Sequence, residues 1–150
     1  MRNLLLALIG VLAFAAVAAT PAGAETDTFN ATASLTPQGT DAQGRLLVAG
    51  SINSPGFGKG TAQYAAVVNP DGTTTADFGA KFKFGSLKGT TTGTLTADPA
   101  GGNVLAGTGK ITGGTRAYKG AKGKFTYNGH SQADGTITLK IKGKVTFPTR

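Results

Sequence analysis

Few residues of this chain have side chains that could perform chemistry. It has no cysteine, a single histidine at position 130 and seven carboxylates. Without cysteine the chain can form no disulfide and offers no thiolate, and one histidine cannot build a multi-histidine metal centre. A serine triad would have to use His130, and none of the serines has a Gly-x-Ser-x-Gly setting. The sequence therefore indicates no catalytic residue, no metal site and no cofactor.

Most of the carboxylates stand where they would shape turns. Asp71 and Asp98 occur in proline-containing segments and Asp134 precedes Gly135, positions at which Asx turns are common. Asp77 is the one carboxylate inside a predicted strand. A single carboxylate without a visible partner is a weak candidate for general acid or base catalysis. The sequence therefore favours a binding function over an enzymatic one.

The first 24 residues are typical of a secretory signal peptide. Arg2 supplies a positive charge, residues 4–19 are almost continuously apolar, and Ala22-Gly23-Ala24 fits the small-x-small cleavage pattern. We expect cleavage before Glu25 and a secreted, extracytoplasmic protein; the alternative is an uncleaved anchor helix, which needs about 20 apolar residues. The remaining residues, 25–150, are enough for a single domain with its own core, and no later segment resembles a transmembrane span.

The rest of the chain has the two-residue periodicity of β-strands. It is clearest in 136–147, where apolar residues alternate with Thr and Lys, so that one face of the strand is buried and the other exposed. Glycine also recurs too often for helix interiors. Eight strands are predicted, over residues 29–36, 45–52, 61–69, 74–84, 86–97, 103–111, 121–128 and 136–147.

Short turns separate these segments. Turn-forming residues occur at 38–44, 69–72, 98–103, Asn128-Gly129 and Asp134-Gly135. The Asn128-Gly129 turn would place His130 at an exposed loop tip. Connections this short predict antiparallel neighbours, which can form an up-and-down β-barrel or a β-sandwich. A closed barrel is favoured because closure removes unpaired edges and because glycines inside strands are common where barrels bend or backbones approach closely.

One segment resembles a known family. Residues 107–125 read GTGKITGGTRAYKGAKGKF, in which Gly113-Gly114-Thr115 is followed by Tyr118 and then by Gly120, Ala121 and Gly123. This order resembles the signature of the allene oxide cyclase-like and dirigent-like β-barrels, including bacterial secreted proteins, although Arg116 stands where the family often has glycine. The resemblance implies an eight-stranded antiparallel barrel that binds apolar or phenolic molecules inside and that often forms homo-oligomers.

No catalytic residue of that family can be carried over to this sequence. A small apolar ligand would lie in the barrel interior, and the candidate cavity residues are Tyr118, Phe82, Phe84, Phe125 and Asp77. Tyr118 can alternatively lay its ring over one end of the barrel as a structural plug. A cavity that contained Asp77 or Tyr118 would favour an enzyme like the cyclase and dirigent proteins, whereas a barrel filled by its own side chains would favour neither ligand nor catalysis.

Positive charge is concentrated in the C-terminal part. Residues 25–100 carry a net charge of −1, whereas residues 101–150 carry +8. If the last two strands pair, five lysines share one outward face: Lys122, Lys124, Lys140, Lys142 and Lys144. Such a face improves solubility and protects strand edges, or it binds an extracellular polyanion or a component of the cell envelope. Specific nucleic-acid binding is not expected, because no aromatic residue is interleaved with the lysines for base stacking.

Overall fold

The computed structural model describes residues 24–148, and it contains eight β-strands and one short 3-10 helix. The predicted signal peptide, residues 1–24, lies almost wholly outside the described residues. All eight predicted strands are confirmed, with these bounds: β1 (Glu25–Thr40), β2 (Leu46–Ser54), β3 (Gly58–Val68), β4 (Thr73–Phe82), β5 (Gly85–Ala97), β6 (Asn103–Gly114), η1 (Arg116–Tyr118), β7 (Lys122–Ser131) and β8 (Ile137–Phe147). No helix in this described part is long and apolar enough to cross a membrane.

The eight strands form one closed antiparallel barrel in sequence order. The first and last strands close it, with a continuous register from Glu25 opposite Phe147 to Leu35 opposite Ile137. Closure leaves no strand with an unpaired edge, which is the physical advantage of a barrel over an open sheet. The predicted barrel is therefore confirmed, and the alternative of a β-sandwich is wrong.

Strand alternation builds the core. In β8, Leu139, Ile141 and Val145 are buried inside the barrel, while the lysines between them point outward. In the middle of the barrel the rings of Phe29, Phe78 and Phe125 meet edge to face, with centroids 6.0 Å apart for Phe29 and Phe125 and 5.2 Å apart for Phe78 and Phe125. This geometry is favourable for aromatic pairs, and the centre of the barrel is filled with side chains.

One end of the barrel is plugged by aromatic residues. Phe57, from the β2–β3 loop, lies 5.2 Å from Tyr118 and 5.5 Å from Phe82, measured between ring centroids, and Tyr118 lies 5.7 Å from Phe147. Helix η1, which follows Gly114 and Thr115, carries Tyr118 into this cluster. We call this end the closed end, and Tyr118 is part of its plug.

Two turns differ from the sequence-based expectation. Asn128-Gly129 does not turn: both residues lie inside β7, with Gly129 opposite Leu139, and the actual turn lies between Gln132 and Thr136. The β4–β5 hairpin turns at Lys83-Phe84, earlier than the predicted strand end at 84. In both cases the alternation of inward and outward residues continues past the strand end in the sequence, so this alternation alone does not predict where a strand ends.

Candidate functional site

The end of the barrel opposite the plug holds a cavity. Its volume is about 230 Å³, and all eight strands contribute side chains to its wall. The hairpin turns β1–β2, β3–β4, β5–β6 and β7–β8 surround its opening. We call it the mouth cavity, and its lining residues are Pro37, Leu46, Val48, Tyr64, Val68, Thr74, Ala76, Thr91, Leu95, Asn103, Leu105, Tyr127, Ser131, Gly135, Ile137 and Leu139.

The wall of the mouth cavity is mainly apolar. Leucine, isoleucine, valine and alanine make up half of its lining, and Val68 at the rim is 46% exposed. Concave, mostly apolar pockets with a few polar groups are the usual form of small-molecule sites. An apolar cavity of about 150 Å³ can hold benzene, so the mouth cavity has room for a molecule of about one substituted aromatic ring.

Two tyrosines supply the main polar groups of the cavity. Burial raises the pKa of the Tyr64 hydroxyl well above its usual range, and nearby Tyr127 raises it further. The Tyr127 hydroxyl lies against the backbone at Gly93 and Gly107, where a Cβ atom would collide with it. Neither hydroxyl has a hydrogen-bond partner within residues 24–148. The Tyr64 phenol therefore stays neutral, and both hydroxyls can donate a hydrogen bond to a molecule in the cavity.

Four further polar side chains face the same space: Thr74, Thr91, Asn103 and Ser131. Thr91 is buried, and the Asn103 amide donates a hydrogen bond of 3.3 Å to the Ser131 hydroxyl. None of the lining residues within the described chain is Asp, Glu, His, Lys or Arg. The cavity can therefore hold and orient a molecule through apolar contact and hydrogen bonds, but its wall offers no carboxylate or imidazole for proton transfer at neutral pH.

Two predicted cavity residues lie elsewhere. Asp77 points outward from β4, with its side chain 65% exposed, and it accepts a hydrogen bond of 2.8 Å from the Arg45 guanidinium. The alternation that turns Phe78 inward necessarily turns Asp77 outward. Phe84 is 59% exposed in the β4–β5 turn, where the Lys83 ammonium lies 5.3 Å from its ring centroid. The prediction that these two residues line a cavity inside the barrel is wrong.

The other predicted cavity residues lie inside the barrel but outside the mouth cavity. Phe82 and Tyr118 belong to the plug at the closed end, and Phe125 fills the middle of the barrel. Burial raises the pKa of the Tyr118 hydroxyl, with a smaller contribution from Asp27. The tyrosines of the cavity, Tyr64 and Tyr127, were missed; the available signal was that Tyr127 follows buried Phe125 by two residues and therefore shares its inward face.

The predicted lysine cluster is present on the outer surface. Strands β7 and β8 pair so that Lys124 stands opposite Lys144, and Lys140, Lys142 and Lys144 alternate along β8. Lys122 donates a hydrogen bond of 2.6 Å to the Thr112 carbonyl oxygen. Strand β6 adds a lysine that was not predicted, Lys110, directly opposite Lys124. We call this surface the lysine face: Lys110, Lys122, Lys124, Lys140, Lys142 and Lys144.

His130 and the turn carboxylates do not form a metal site. The His130 ring lies near the end of β7, and its Nε2 atom is 3.1 Å from an Asp98 carboxylate oxygen. Its predicted position at a loop tip is therefore wrong. In the chain from 24 to 148, no group of three metal-binding side chains comes together.

Two wider hollows lie on the outer surface of β1–β5, with volumes of about 600 and 580 Å³. Gln63, Gly79 and Lys88 line both of them. They are open to solvent because a single curved sheet bounds them on one side. The mouth cavity is smaller, but the sheet encloses it all around, and this enclosure makes it the better ligand site.

The fold and the mouth cavity define a closed eight-stranded antiparallel barrel with room for a small molecule at one end. No family model matches the sequence, and no curated protein matches it significantly. Two solved structures have a similar fold, the pterocarpan synthase dirigent proteins GePTS1 and PsPTS1.

The likeness to both structures extends over most of the chain. GePTS1 has a TM-score of 0.58 and 13% identity, with 85% of this chain and 88% of that chain covered. PsPTS1 has a TM-score of 0.56 and 12% identity, with 86% and 97% covered. At this identity the likeness is one of fold, and it confirms the dirigent-like barrel predicted from residues 107–125.

Proposed function

We propose that this chain is an exported, noncatalytic binding protein that holds one small, mainly apolar molecule in the mouth cavity. The observation that carries the proposal is an enclosed apolar cavity with two phenolic hydroxyls that lack partners in the described chain. Each hydroxyl can donate a hydrogen bond into the cavity, and an oxygen atom of the ligand can accept it.

The size and chemistry of the wall define the ligand class. A volume of about 230 Å³ lies below the range of about 300–1,000 Å³ common for drug-sized ligands. We therefore expect a single ring or a short aliphatic chain that carries one hydroxyl or carbonyl oxygen. A positively or negatively charged group would enter the cavity without a countercharge on its wall, so charged molecules should be excluded.

The second candidate is an enzyme of the kind for which the two similar barrels are named, a pterocarpan synthase. The similar fold and the position of the cavity inside the barrel favour it. Against it, Asp77 lies outside the barrel and Tyr118 lies at the closed end, so neither residue can contact a molecule in the mouth cavity. The raised pKa of Tyr64 also makes its phenol a poor base.

Native mass spectrometry of the protein purified from its secreting host provides the first test. The expected result is a chain that begins at Glu25 and carries a small molecule that is lost on denaturation. A chain that retains residues 1–24 would contradict export by cleavage. Failure to bind any small molecule, either here or with the probe below, would contradict the binding proposal.

The cavity itself is tested with p-cresol, whose ring and hydroxyl match the proposed class, and with toluene as the probe without oxygen. We expect p-cresol to bind several-fold more tightly than toluene, because one hydrogen bond contributes about 1 kcal/mol. Substitution Ala76→Trp fills the mouth and should abolish binding, measured by NMR titration. The matched control Ala106→Trp changes an exposed residue of β6 and should leave binding unchanged. Equal loss in both variants would place the probe elsewhere.

A further inference from the structure

The lysine face concentrates like charges without neutralising partners. Lys110, Lys124 and Lys144 stand directly opposite one another on three neighbouring strands. Adjacent strands lie about 4.8 Å apart, and alternate residues along a strand about 7 Å apart. Like charges at opposing positions of a sheet destabilise it, so solubility alone explains this row poorly, since the same lysines spread over the surface would serve that purpose better.

No carboxylate shares this surface. Strands β6, β7 and β8 contain neither Asp nor Glu, and the three ion pairs within residues 24–148 involve Arg45 and His130, not the lysines. The outward residues of β1, which lies beside β8, are uncharged threonine, asparagine and serine residues from Thr28 to Ser34. The ammonium groups are therefore available to an anionic partner.

The shape and chemistry of the face point to the kind of anion. A shallow groove of about 430 Å³ runs between the side chains of Lys110, Lys124 and Lys142, with Thr108 and Thr126 along it. Asn30 and Asn128 flank Lys142 and Lys140 on the neighbouring strands. Threonine and asparagine side chains both donate and accept hydrogen bonds, so the face presents cations interleaved with groups that suit hydroxyls.

Other polyanions fit this face less well. No phenylalanine or tyrosine side chain points outward from β6, β7 or β8, and the one outward imidazole, His130, lies 3.1 Å from an Asp98 carboxylate oxygen, so unpaired nucleic-acid bases would find no row of rings for stacking. The one exposed large apolar side chain on the outward side of β6, β7 and β8 is Val104, and a single valine offers little area for insertion into a lipid bilayer. A polymer of phosphate groups would pair with the lysine ammonium groups. Ionised phosphates accept but do not donate hydrogen bonds, so the acceptor oxygens of the threonine and asparagine side chains would stay unused.

From this arrangement we propose that the lysine face binds an extended acidic polysaccharide. The ammonium groups pair with its carboxylate or sulfate groups, and the threonine and asparagine side chains hydrogen-bond its hydroxyls. This site lies on the outside of the barrel and does not depend on the mouth cavity. Binding should weaken steeply with ionic strength, because each ion pair formed releases counterions.

The test compares two triple variants that remove the same charge. One variant changes the central row, Lys110→Gln, Lys124→Gln and Lys144→Gln, and the matched control changes Lys59→Gln, Lys81→Gln and Lys88→Gln, which lie on β3–β5 and face no other lysine. Binding of fluorescein-labelled alginate and heparin is measured by anisotropy at low and physiological salt. We expect the row variant to bind at least about tenfold more weakly, and the control less than about threefold.

Three results would overturn the proposal. Equal weakening in both triple variants would mean that net charge, and not the row, attracts the polymer. Tighter binding of polyphosphate, of single-stranded DNA or of phosphatidylglycerol vesicles than of both polysaccharides would assign the face to another partner. Retained binding in a row variant that is shown by circular dichroism to be folded would place the polysaccharide elsewhere.

Discussion

The inner wall of β6 touches the centre of the barrel at Gly109. A Cβ atom at this position would collide with the ring of Phe125, whose atoms are the three nearest to it. Phe125 in turn packs against Phe29 and Phe78. The absence of a side chain at Gly109 therefore lets one large aromatic ring occupy the middle of the barrel, which separates the mouth cavity from the closed end.

Substitution Gly109→Ala should lower the free energy of unfolding by about 1–3 kcal/mol, because the added methyl group overpacks the core. Phe125→Leu should relieve this collision, so the double variant should be more stable than the sum of the single effects indicates, by about 0.5–3 kcal/mol. Urea unfolding followed by circular dichroism measures all three variants.

Gly79→Ala is the matched control for this cycle. Gly79 lies within β4, and a Cβ atom there would approach no atom closer than 3.9 Å. This substitution should leave stability unchanged or raise it by up to about 1 kcal/mol, because it reduces the entropy of the unfolded chain. If Gly109→Ala behaves like Gly79→Ala, Phe125 does not fill the centre as described.

At the scale of elements, each of the four hairpins at the mouth is fixed by an aspartate. One carboxylate oxygen accepts the backbone N–H of a residue two positions later, at distances of 3.0 Å in the β1–β2 turn and 2.9 Å in the other three. These are Asx turns, which stabilise a tight bend locally. The four residues are Asp41, Asp71, Asp98 and Asp134.

Hydrogen bonding lowers the pKa of all four carboxyls below the ordinary value of 3.8. The largest causes are the Arg45 N–H for Asp41, the Thr73 hydroxyl for Asp71, the Ala100 N–H for Asp98 and the Thr136 N–H for Asp134. Because the folded-state pKa is lower than the unfolded one, the stabilisation is present above pH 3.8 and is lost as the pH falls through the folded-state values.

We therefore expect the free energy of unfolding to decrease between about pH 4 and pH 2, mainly through these turns. A variant with all four aspartates changed to asparagine keeps the turn-forming side-chain oxygen but cannot be protonated in this range. It should be somewhat less stable than the wild type at pH 7 and should lose less stability between pH 4 and pH 2. Chemical unfolding at several pH values measures this, and parallel losses in both proteins would refute the assignment.

The same elements show what the sequence could and could not predict. Alternation in 136–147 was sufficient to predict β8 and both of its faces, because a two-residue period has no other regular explanation. Asn128-Gly129 was misleading, since a glycine opposite Leu139 serves close packing inside a strand as well as it would serve a turn. Arg116 has a φ of 53°, so the position at which the sequence signature of residues 107–125 led us to expect glycine does adopt a left-handed conformation here.

The mouth cavity could not be predicted, because no local pattern determines which end of the barrel is filled. That outcome depends on Phe57 and Tyr118, which come from a loop and a short helix far apart in sequence and meet only in the folded barrel. Their packing closes one end. Tyr64 and Tyr127 lie at the other, and there the inward side chains leave space.

At the scale of the whole molecule, charge and cavity are arranged on different surfaces. The aspartates of the hairpin turns surround the mouth, whereas the lysine face covers the side formed by β6, β7 and β8. A small molecule in the mouth and a polymer on the side could therefore bind at the same time. Because the closed hydrogen-bonded barrel holds the strands in register, the lysines remain opposite one another despite their repulsion.

This repulsion should make the stability of the whole barrel depend on salt. The Debye length falls from about 30 Å at 0.01 M to about 3 Å at 1 M ionic strength, so added NaCl should screen the row Lys110, Lys124 and Lys144 and raise the free energy of unfolding by about 1 kcal/mol. The row variant with three glutamines should already be more stable than the wild type at low salt and should gain less from added NaCl. The control variant at Lys59, Lys81 and Lys88 should respond to salt like the wild type, because none of these lysines faces another across a strand pair. Urea midpoints at the two salt concentrations measure the effect, and an equal salt response in all three proteins would mean that the lysine row does not strain the barrel.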